Sequence, residues 1–153
     1  MHSDDAPPAN AGPRPAHVRP DCIAAVFVGG CLGVAAREAL VEVFPADGGI
    51  PWAVFAINIV GAFALGVLLE VLSRYGPDTG RRRILRMLLG TGFMGGFTTY
   101  SALATDTADL LTSGSAGAGL TYGVATVVVG VLVTMAGIAV GARFPRAARS
   151  HAI

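Results

Sequence analysis

The stretch from Gly90 to Leu103 reads GTGFMGGFTTYSAL and lies inside a long apolar segment. Two adjacent glycines in a helix interior, here Gly95 and Gly96, cost about 1 kcal/mol each relative to alanine. Backbone that leaves the helix at membrane depth is tolerated only where it faces protein or a water-filled cavity. The glycine pair and the Thr98-Thr99 pair therefore predict a helix broken near the bilayer midplane, with freed carbonyls that suit a hard cation such as Na⁺. Close packing through small residues is the alternative, and the motif alone leaves both open.

The composition around this stretch is that of a membrane protein. Hydrophobic residues make up 53% of the 153 residues and charged residues only 14%, with a mean hydropathy of +0.62. Soluble domains are usually about 25% charged, so the missing charge indicates a solvent other than water. The net charge of +1 gives no reason to expect nucleic-acid binding. All three histidines lie in the polar ends of the chain and no nucleophile–base pair is visible, so an enzyme is not expected.

Four apolar segments are each long enough to cross a bilayer, which takes about 20 residues. They cover approximately residues 22–44, 52–72, 84–111 and 120–142. Because lipid cannot satisfy backbone hydrogen bonds, helix is the conformation expected for all four. The sequence thus predicts an all-α integral membrane protein with one channel domain over residues 21–143. A disordered, proline-rich tail is expected at residues 1–20, and a short basic tail at residues 144–153.

The arginines predict the orientation of the helices. All eleven basic residues are arginine, and ten of them lie before the first segment, around the connection 73–83, or after the fourth segment. The connections 45–51 and 112–119 contain none. The positive-inside rule then places both termini and the middle connection in the cytoplasm, as in a multi-pass protein of the plasma membrane.

Three short motifs follow one another along the chain. Gly29 to Arg37 reads GGCLGVAAR, Asn58 to Phe63 reads NIVGAF, and Gly92 to Ser101 reads GFMGGFTTYS. In this order and spacing they resemble the small fluoride-channel family (Fluc, also called CrcB or the camphor-resistance family) over roughly residues 22–142. The resemblance implies an antiparallel dimer of four-helix subunits that lets fluoride leave the cytoplasm passively, without coupling to ATP or to an ion gradient.

The resemblance also assigns roles to single positions. It implies a structural Na⁺, not transported, on backbone carbonyls of both subunits at positions that match Gly95 and Thr98. Such a cation offsets the electrostatic cost of an anion in a medium of low dielectric constant. Hydrogen-bond donors and the positive rims of aromatic rings are expected to line the fluoride pathway. The positions expected in that pathway are Asn58, Thr99, Tyr100, Ser101, Leu103, Tyr122 and Thr126.

Several of these positions keep a second interpretation. Asn58 in an apolar helix either reaches into the pore or joins two helices by a hydrogen bond. Tyr122 and Thr126 lie four residues apart, and therefore on one helix face, where they match a polar track along the pore. The next residue on that face, Gly130, has no side-chain donor. Close helix packing remains the alternative for Gly95 and Thr98 as well.

The chain departs from the family at one aromatic position. The family's typical run is T-T-F-S-x-F, whereas Thr98 to Leu103 reads TTYSAL. Tyr100 keeps an aromatic ring, but Leu103 removes the second ring of the pair. The one-sided arginines also conflict with a chain that inserts in both orientations. We therefore expect this chain to pair with an oppositely oriented homologous subunit, with a homodimer as the alternative.

Two other functions are alternatives to the channel. A small proton-coupled multidrug exporter needs a carboxylate in the middle of its first helix, but Glu38 and Glu42 lie near the end of that helix, after Arg37. Arg37 itself either attracts anions at an aqueous vestibule, extends to the membrane interface, or pairs with a neighbouring carboxylate or a partner chain. The second alternative is a non-conducting subunit that supports a partner, and Leu103 is the feature in its favour.

Overall fold

The computed structural model of the protein describes residues 19–46 and 49–146, and the regular structure in these residues is helical. Three helices are long and apolar enough to cross a membrane. They are α1 (Pro20–Val43), α2 (Trp52–Arg74) and α6 (Ala116–Gly141). Between α2 and α6 lie α3 (Gly80–Leu85), a π-helical segment (Arg86–Phe93), α4 (Met94–Phe97) and α5 (Tyr100–Thr112). The prediction of an all-α integral membrane protein is confirmed at this level.

The three long helices match the predicted apolar segments within a few residues at each end. The first helix begins at Pro20, which was assigned to the tail. Proline is favourable at the first helical position because the amide hydrogen that it lacks would have no helical partner there. Residues 1–18 and 147–153 lie outside the described residues, so the disordered N-terminal tail and most of the basic C-terminal tail stay predictions.

The third apolar segment is broken at one of the two residue pairs that the sequence indicated. Thr98 (φ −78°, ψ 154°) and Thr99 (φ −144°, ψ 119°) are extended and separate α4 from α5. The expected break at the threonines is confirmed, whereas the expectation that Gly95 and Gly96 would also unwind is wrong, because both lie in α4. A Cβ atom on Gly96 would overlap the carbonyl oxygen of Gly30, so this glycine serves helix packing.

Glycines bring α1 and the third segment into backbone contact. A Cβ atom on Gly29 would overlap the carbonyl oxygen of Leu88, and one on Gly33 would overlap that of Phe93. On the other side of the bundle α2 packs along α6, where a Cβ atom on Gly66 would lie 2.5 Å from the carbonyl oxygen of Thr134. Both contacts follow the small-residue packing typical of membrane helices. The first contact holds the segment before the break against α1, and the second joins α2 and α6 into a separate helix pair.

The two connections without arginine lie at the same end of the bundle. Ala46, Gly49 and Pro51 of the first connection enclose a pocket of about 270 Å³ together with Asp109 and Ser113, at the end of α5. If successive spanning helices alternate in direction, the first and third connections must lie at the same end of the bundle. The arginine-rich connection between α2 and α3 therefore belongs to the opposite end.

Candidate functional site

The side chain of Asn58 in α2 holds the backbone of Thr99 at the break. Its Nδ2 donates to the Thr99 carbonyl oxygen at 3.0 Å, and the Thr99 amide donates to Asn58 Oδ1 at 2.8 Å. The carboxamide thus pairs with the main chain as a neighbouring strand would. Because apolar surroundings offer no water to an unwound backbone, such a partner is required for the break to persist.

The carbonyls that the break frees include those of Gly95 and Thr98. In a continuous helix the amide of residue i+4 donates to the carbonyl of residue i, so Thr99 would serve Gly95 and Ala102 would serve Thr98. Here the Thr99 amide donates to Asn58, and the Ala102 amide donates to Thr99 Oγ1 at 3.1 Å as the cap of α5. Both carbonyls therefore lose their helical donors. Carbonyl oxygens are ligands that hard cations prefer, so these two positions suit the predicted Na⁺ site.

An open groove of about 500 Å³ runs from the break along α2 and α6. It brings together six of the predicted site residues, together with Gly130, and adds Thr134 of α6. The six are Asn58, Thr98, Thr99, Tyr100, Leu103 and Thr126. Leu103 and Thr126 are buried, whereas Tyr100 is 81% exposed at the mouth of the groove. Most of the expected pathway thus forms one continuous surface in a single chain.

The two threonine hydroxyl groups that α6 contributes to the groove donate to carbonyls of their own helix. Thr126 Oγ1 donates to the Tyr122 carbonyl at 2.7 Å, and Thr134 Oγ1 donates to the Gly130 carbonyl at 2.8 Å. Thr134 was missed in the sequence analysis, although it continues the four-residue spacing of Tyr122, Thr126 and Gly130. Extending that spacing past the glycine, which lacks a donor, would have found it.

Tyr122 is buried, but its hydroxyl points away from the groove. It donates to Asp106 Oδ2 at 3.5 Å, toward the end of the bundle that has no arginine. Ser101 does not line the groove, although its hydroxyl lies 3.2 Å from that of Thr99. These two residues adjoin the groove and do not form its wall.

Arg37 lies apart from the groove, near the end of α1. One of its terminal nitrogens is 3.1 Å from Glu38 Oε1, which is one of the interpretations left open by the sequence. Its Nε atom is buried and has no hydrogen-bond partner among the described residues. The contact with Glu38 assigns Arg37 a local ion pair within this chain.

The opposite end of the bundle is basic, and one carboxylate organises it. Asp78, in the connection before α3, accepts a hydrogen bond from Arg86 Nε at 3.1 Å and lies 3.9 Å from Arg83. The hydrogen bond from Arg86 lowers the pKa of the Asp78 carboxyl group, with a smaller contribution from the charge of Arg83. Arg81 and Arg82 are not among the ion pairs of the described residues, so this end keeps an excess of positive charge.

The fold and the groove define a multi-pass helical membrane protein with a groove beside a broken helix. The family model described as CrcB-like protein, Camphor Resistance (CrcB), matches residues 24–138. The chain belongs to this family, which confirms the resemblance carried by the three motifs.

Three relatives illustrate the similarity, and each is called a fluoride-specific ion channel. FluC 2 of Leifsonia xyli subsp. xyli is 48% identical over 128 residues, or 84% of this chain and 88% of the relative. FluC 1 of Cutibacterium acnes is 44% identical over 122 residues, or 79% and 85% of the two chains. FluC 1 of Mycobacterium tuberculosis is 39% identical over 111 residues, or 72% and 82%.

Proposed function

We propose that this chain is a subunit of a channel through which fluoride leaves the cytoplasm passively. The observation that carries the proposal is the groove at the Thr98-Thr99 break, in a chain whose relatives are named as fluoride-specific ion channels. Fluoride holds its water tightly, so a selective path must replace that water with hydrogen-bond donors. Asn58, Thr99 and Thr126 supply polar groups along the groove, while its other walls are largely apolar.

The chain crosses the cell membrane four times in this proposal. The third crossing consists of α3, the π-helical segment, α4 and α5, with the break near mid-membrane. An exposed tryptophan and an exposed tyrosine support the position of the membrane, because these two residue types concentrate at its interfaces. Trp52 lies at the end without arginine, and Tyr75 lies at the arginine-rich end. The positive-inside rule places the second end, with both termini, in the cytoplasm.

A structural Na⁺ on the Gly95 and Thr98 carbonyls is part of the proposal. Its charge would offset the cost of holding an anion nearby in a medium of low dielectric constant. Two observations favour a site shared with a second subunit: Gly95 is exposed, with nothing within 4 Å of a Cβ atom placed on it, and Tyr100 is 81% exposed. An antiparallel dimer would cover both residues.

The arginine distribution supports a partner of the opposite orientation. Ten arginines lie at one end of the predicted bundle, so this chain inserts one way, and an antiparallel dimer then needs a homologous chain with the reverse bias. Leu103 is compatible with two different subunits, because the partner chain would supply the second aromatic ring of the pathway. A homodimer would require this chain to be inserted in both orientations.

Fluoride efflux from liposomes tests the function. We expect fluoride-loaded liposomes that contain this chain and an oppositely biased homologue to release fluoride faster than empty ones, while chloride-loaded liposomes do not respond. If no pairing, including the chain alone, releases fluoride, the proposal is wrong. Release by the homologue alone at the rate of the pair would instead make this chain a non-conducting subunit.

The orientation is tested with a thiol at Ser115, in the third connection. In a Cys22→Ser, Cys31→Ser background, Ser115→Cys should react completely with a membrane-impermeant thiol reagent added outside whole cells. Labelling of half the molecules from outside and half after lysis would support a homodimer. The exporter alternative receives no support from α1, where Glu38 is exposed and bonded to Arg37 near the helix end. An assay of resistance to cationic drugs, run beside the fluoride assay, would detect it.

A further inference from the structure

We propose that Asn58 acts as a positioning residue for the cation site, by keeping Thr98 and Thr99 out of the helix so that the Gly95 and Thr98 carbonyls stay available. This inference rests on the proposed function for the presence of the cation. It differs from the expectation that Asn58 contacts the passing anion, because it assigns the carboxamide to the protein backbone.

The Thr99 amide has two possible acceptors, and each corresponds to a different state of the third segment. Donation to the Gly95 carbonyl would extend α4 by one residue and remove that carbonyl from any cation site. Donation to Asn58 Oδ1, at 2.8 Å, is the state observed. In an apolar medium an unpaired amide is strongly unfavourable, so without Asn58 the helical bond to the Gly95 carbonyl is the best remaining choice for the Thr99 amide.

A second hydrogen bond from Asn58 to Thr99 further favours the extended state of the break. Its Nδ2 donates to the Thr99 carbonyl at 3.0 Å, so both polar atoms of the carboxamide are bound to one residue of the break. Only one Nδ2 hydrogen is left for an ion. A carboxamide with a single free donor hydrogen is better placed to hold the backbone than to replace the water of fluoride.

α2 braces the break at two points on one face. Gly61 lies three residues after Asn58, and a Cβ atom placed on it would overlap Cγ2 of Thr98. Asn58 therefore holds Thr99 while Gly61 lets Thr98 approach the same helix. Thr99 completes the arrangement, because its hydroxyl accepts the Ala102 amide at 3.1 Å and keeps that amide from the Thr98 carbonyl. For the Gly95 and Thr98 carbonyls, a side chain thus captures the amide that would be the helical donor.

The test compares the Na⁺ dependence of variants in the full chain, reconstituted in the pairing that conducts. Na⁺ is titrated against N-methylglucamine at constant ionic strength, and both fluoride efflux and the thermal unfolding temperature of the detergent-solubilised protein are followed. We expect Asn58→Leu, which keeps the size but removes both hydrogen bonds, to raise the half-maximal Na⁺ concentration at least about tenfold in both measurements. Thr126→Val is the matched control, since Thr126 lines the same groove but bonds only to Tyr122. It should lower efflux without shifting the Na⁺ midpoint.

A second pair of variants keeps the test decisive if Asn58→Leu does not fold. Thr99→Val removes the hydroxyl that captures the Ala102 amide and should raise the Na⁺ midpoint, whereas Thr99→Ser keeps the oxygen and should restore it. The inference is overturned if Asn58→Leu folds and lowers efflux with an unchanged Na⁺ midpoint, or if Thr99→Val behaves as Thr99→Ser. It is also overturned if the wild type conducts fluoride with no response to Na⁺. Stabilisation by Na⁺ that Asn58→Leu weakens, in a protein without fluoride efflux, would support the inference and refute the channel.

Discussion

Gly33 of α1 offers a direct test of how the segment before the break is held. A Cβ atom at this position would overlap the carbonyl oxygen of Phe93 and lie 2.8 Å from the amide nitrogen of Phe97. Both are backbone atoms, which cannot rotate away as a flexible side chain can. Phe97 is the last residue of α4, so a displacement here moves the residue that leads into Thr98.

Gly30 provides the matched control on the same helix. A Cβ atom on Gly30 would lie 4.0 Å from its nearest neighbour, the carbonyl oxygen of Gly92, which is the outer limit of ordinary van der Waals contact. Replacing either glycine by alanine gives the same gain in helix propensity, about 1 kcal/mol, so this contribution cancels between the two variants. Extra atoms forced into a packed site cost about 1–3 kcal/mol. Gly33→Ala should therefore be less stable than Gly30→Ala by about 2 kcal/mol, or roughly thirtyfold in the unfolding equilibrium.

The assay is reversible unfolding in mixed detergent micelles, paired with fluoride efflux from liposomes at saturating Na⁺. We expect Gly33→Ala to lower both the free energy of unfolding and the efflux rate, and Gly30→Ala to leave both close to the wild type. If Gly33→Ala matches Gly30→Ala in stability and conducts fully, then α1 does not hold the break through this contact. The account of the glycines as spacers between backbones would then fail.

Three further predictions concern the groove and the basic end. Leu103→Phe places a ring in the open groove beside Tyr100. Fluoride efflux should rise, while the larger side chain at this buried position lowers the free energy of unfolding by about 1–3 kcal/mol. Lower efflux in a folded variant would argue against a missing aromatic. Thr126→Ser should conduct fluoride close to the wild-type rate and Thr126→Val about tenfold more slowly. The reason is that only serine keeps a hydroxyl that can turn from the Tyr122 carbonyl to an anion. Equal rates in the two variants would show that Thr126 is not part of the pathway. Asp78 has a lowered pKa in the folded protein, so its contribution to stability is present above the ordinary pKa of an aspartate and is lost as the pH falls through the folded value. The thermal unfolding temperature of the wild type should therefore fall at acidic pH. That of Asp78→Asn should fall less over the same pH range.

The long helices could be predicted from the sequence because their signal is local. Runs such as Trp52–Arg74 and Ala116–Gly141 are apolar on every side, and lipid leaves helix as the solution for such a run. The position of the break could not be predicted in the same way. Whether a glycine allows close packing or unwinding depends on what lies opposite, and Gly96 lies against the Gly30 carbonyl, sixty-six positions earlier in the chain. The extended pair Thr98-Thr99 likewise depends on Asn58, forty-one positions away.

The candidate site was predicted where a side chain belongs to a motif and was missed where its role depends on a neighbour. Asn58, Thr99, Leu103 and Thr126 meet in one groove as the resemblance implied. The motif could not indicate that Asn58 bonds to backbone, because a sequence pattern records the residue type and not its partner. The π-helical hydrogen bonding of Arg86–Phe93 has no marker that was used in the sequence analysis either.

The two kinds of residue around the break have complementary tasks. Glycines on α1 and in the third segment remove side chains so that backbones touch, and this contact stabilises helix up to Phe97. Beyond Thr98 two amides donate to side chains: the Thr99 amide donates to Asn58 and the Ala102 amide donates to the Thr99 hydroxyl, and the helix resumes at Tyr100. An unwound backbone inside lipid requires both conditions, because packing alone would favour a continuous helix and hydrogen bonding alone would not bring α2 close enough. Gly61 joins the two conditions, since its missing side chain lets Thr98 approach the helix that carries Asn58.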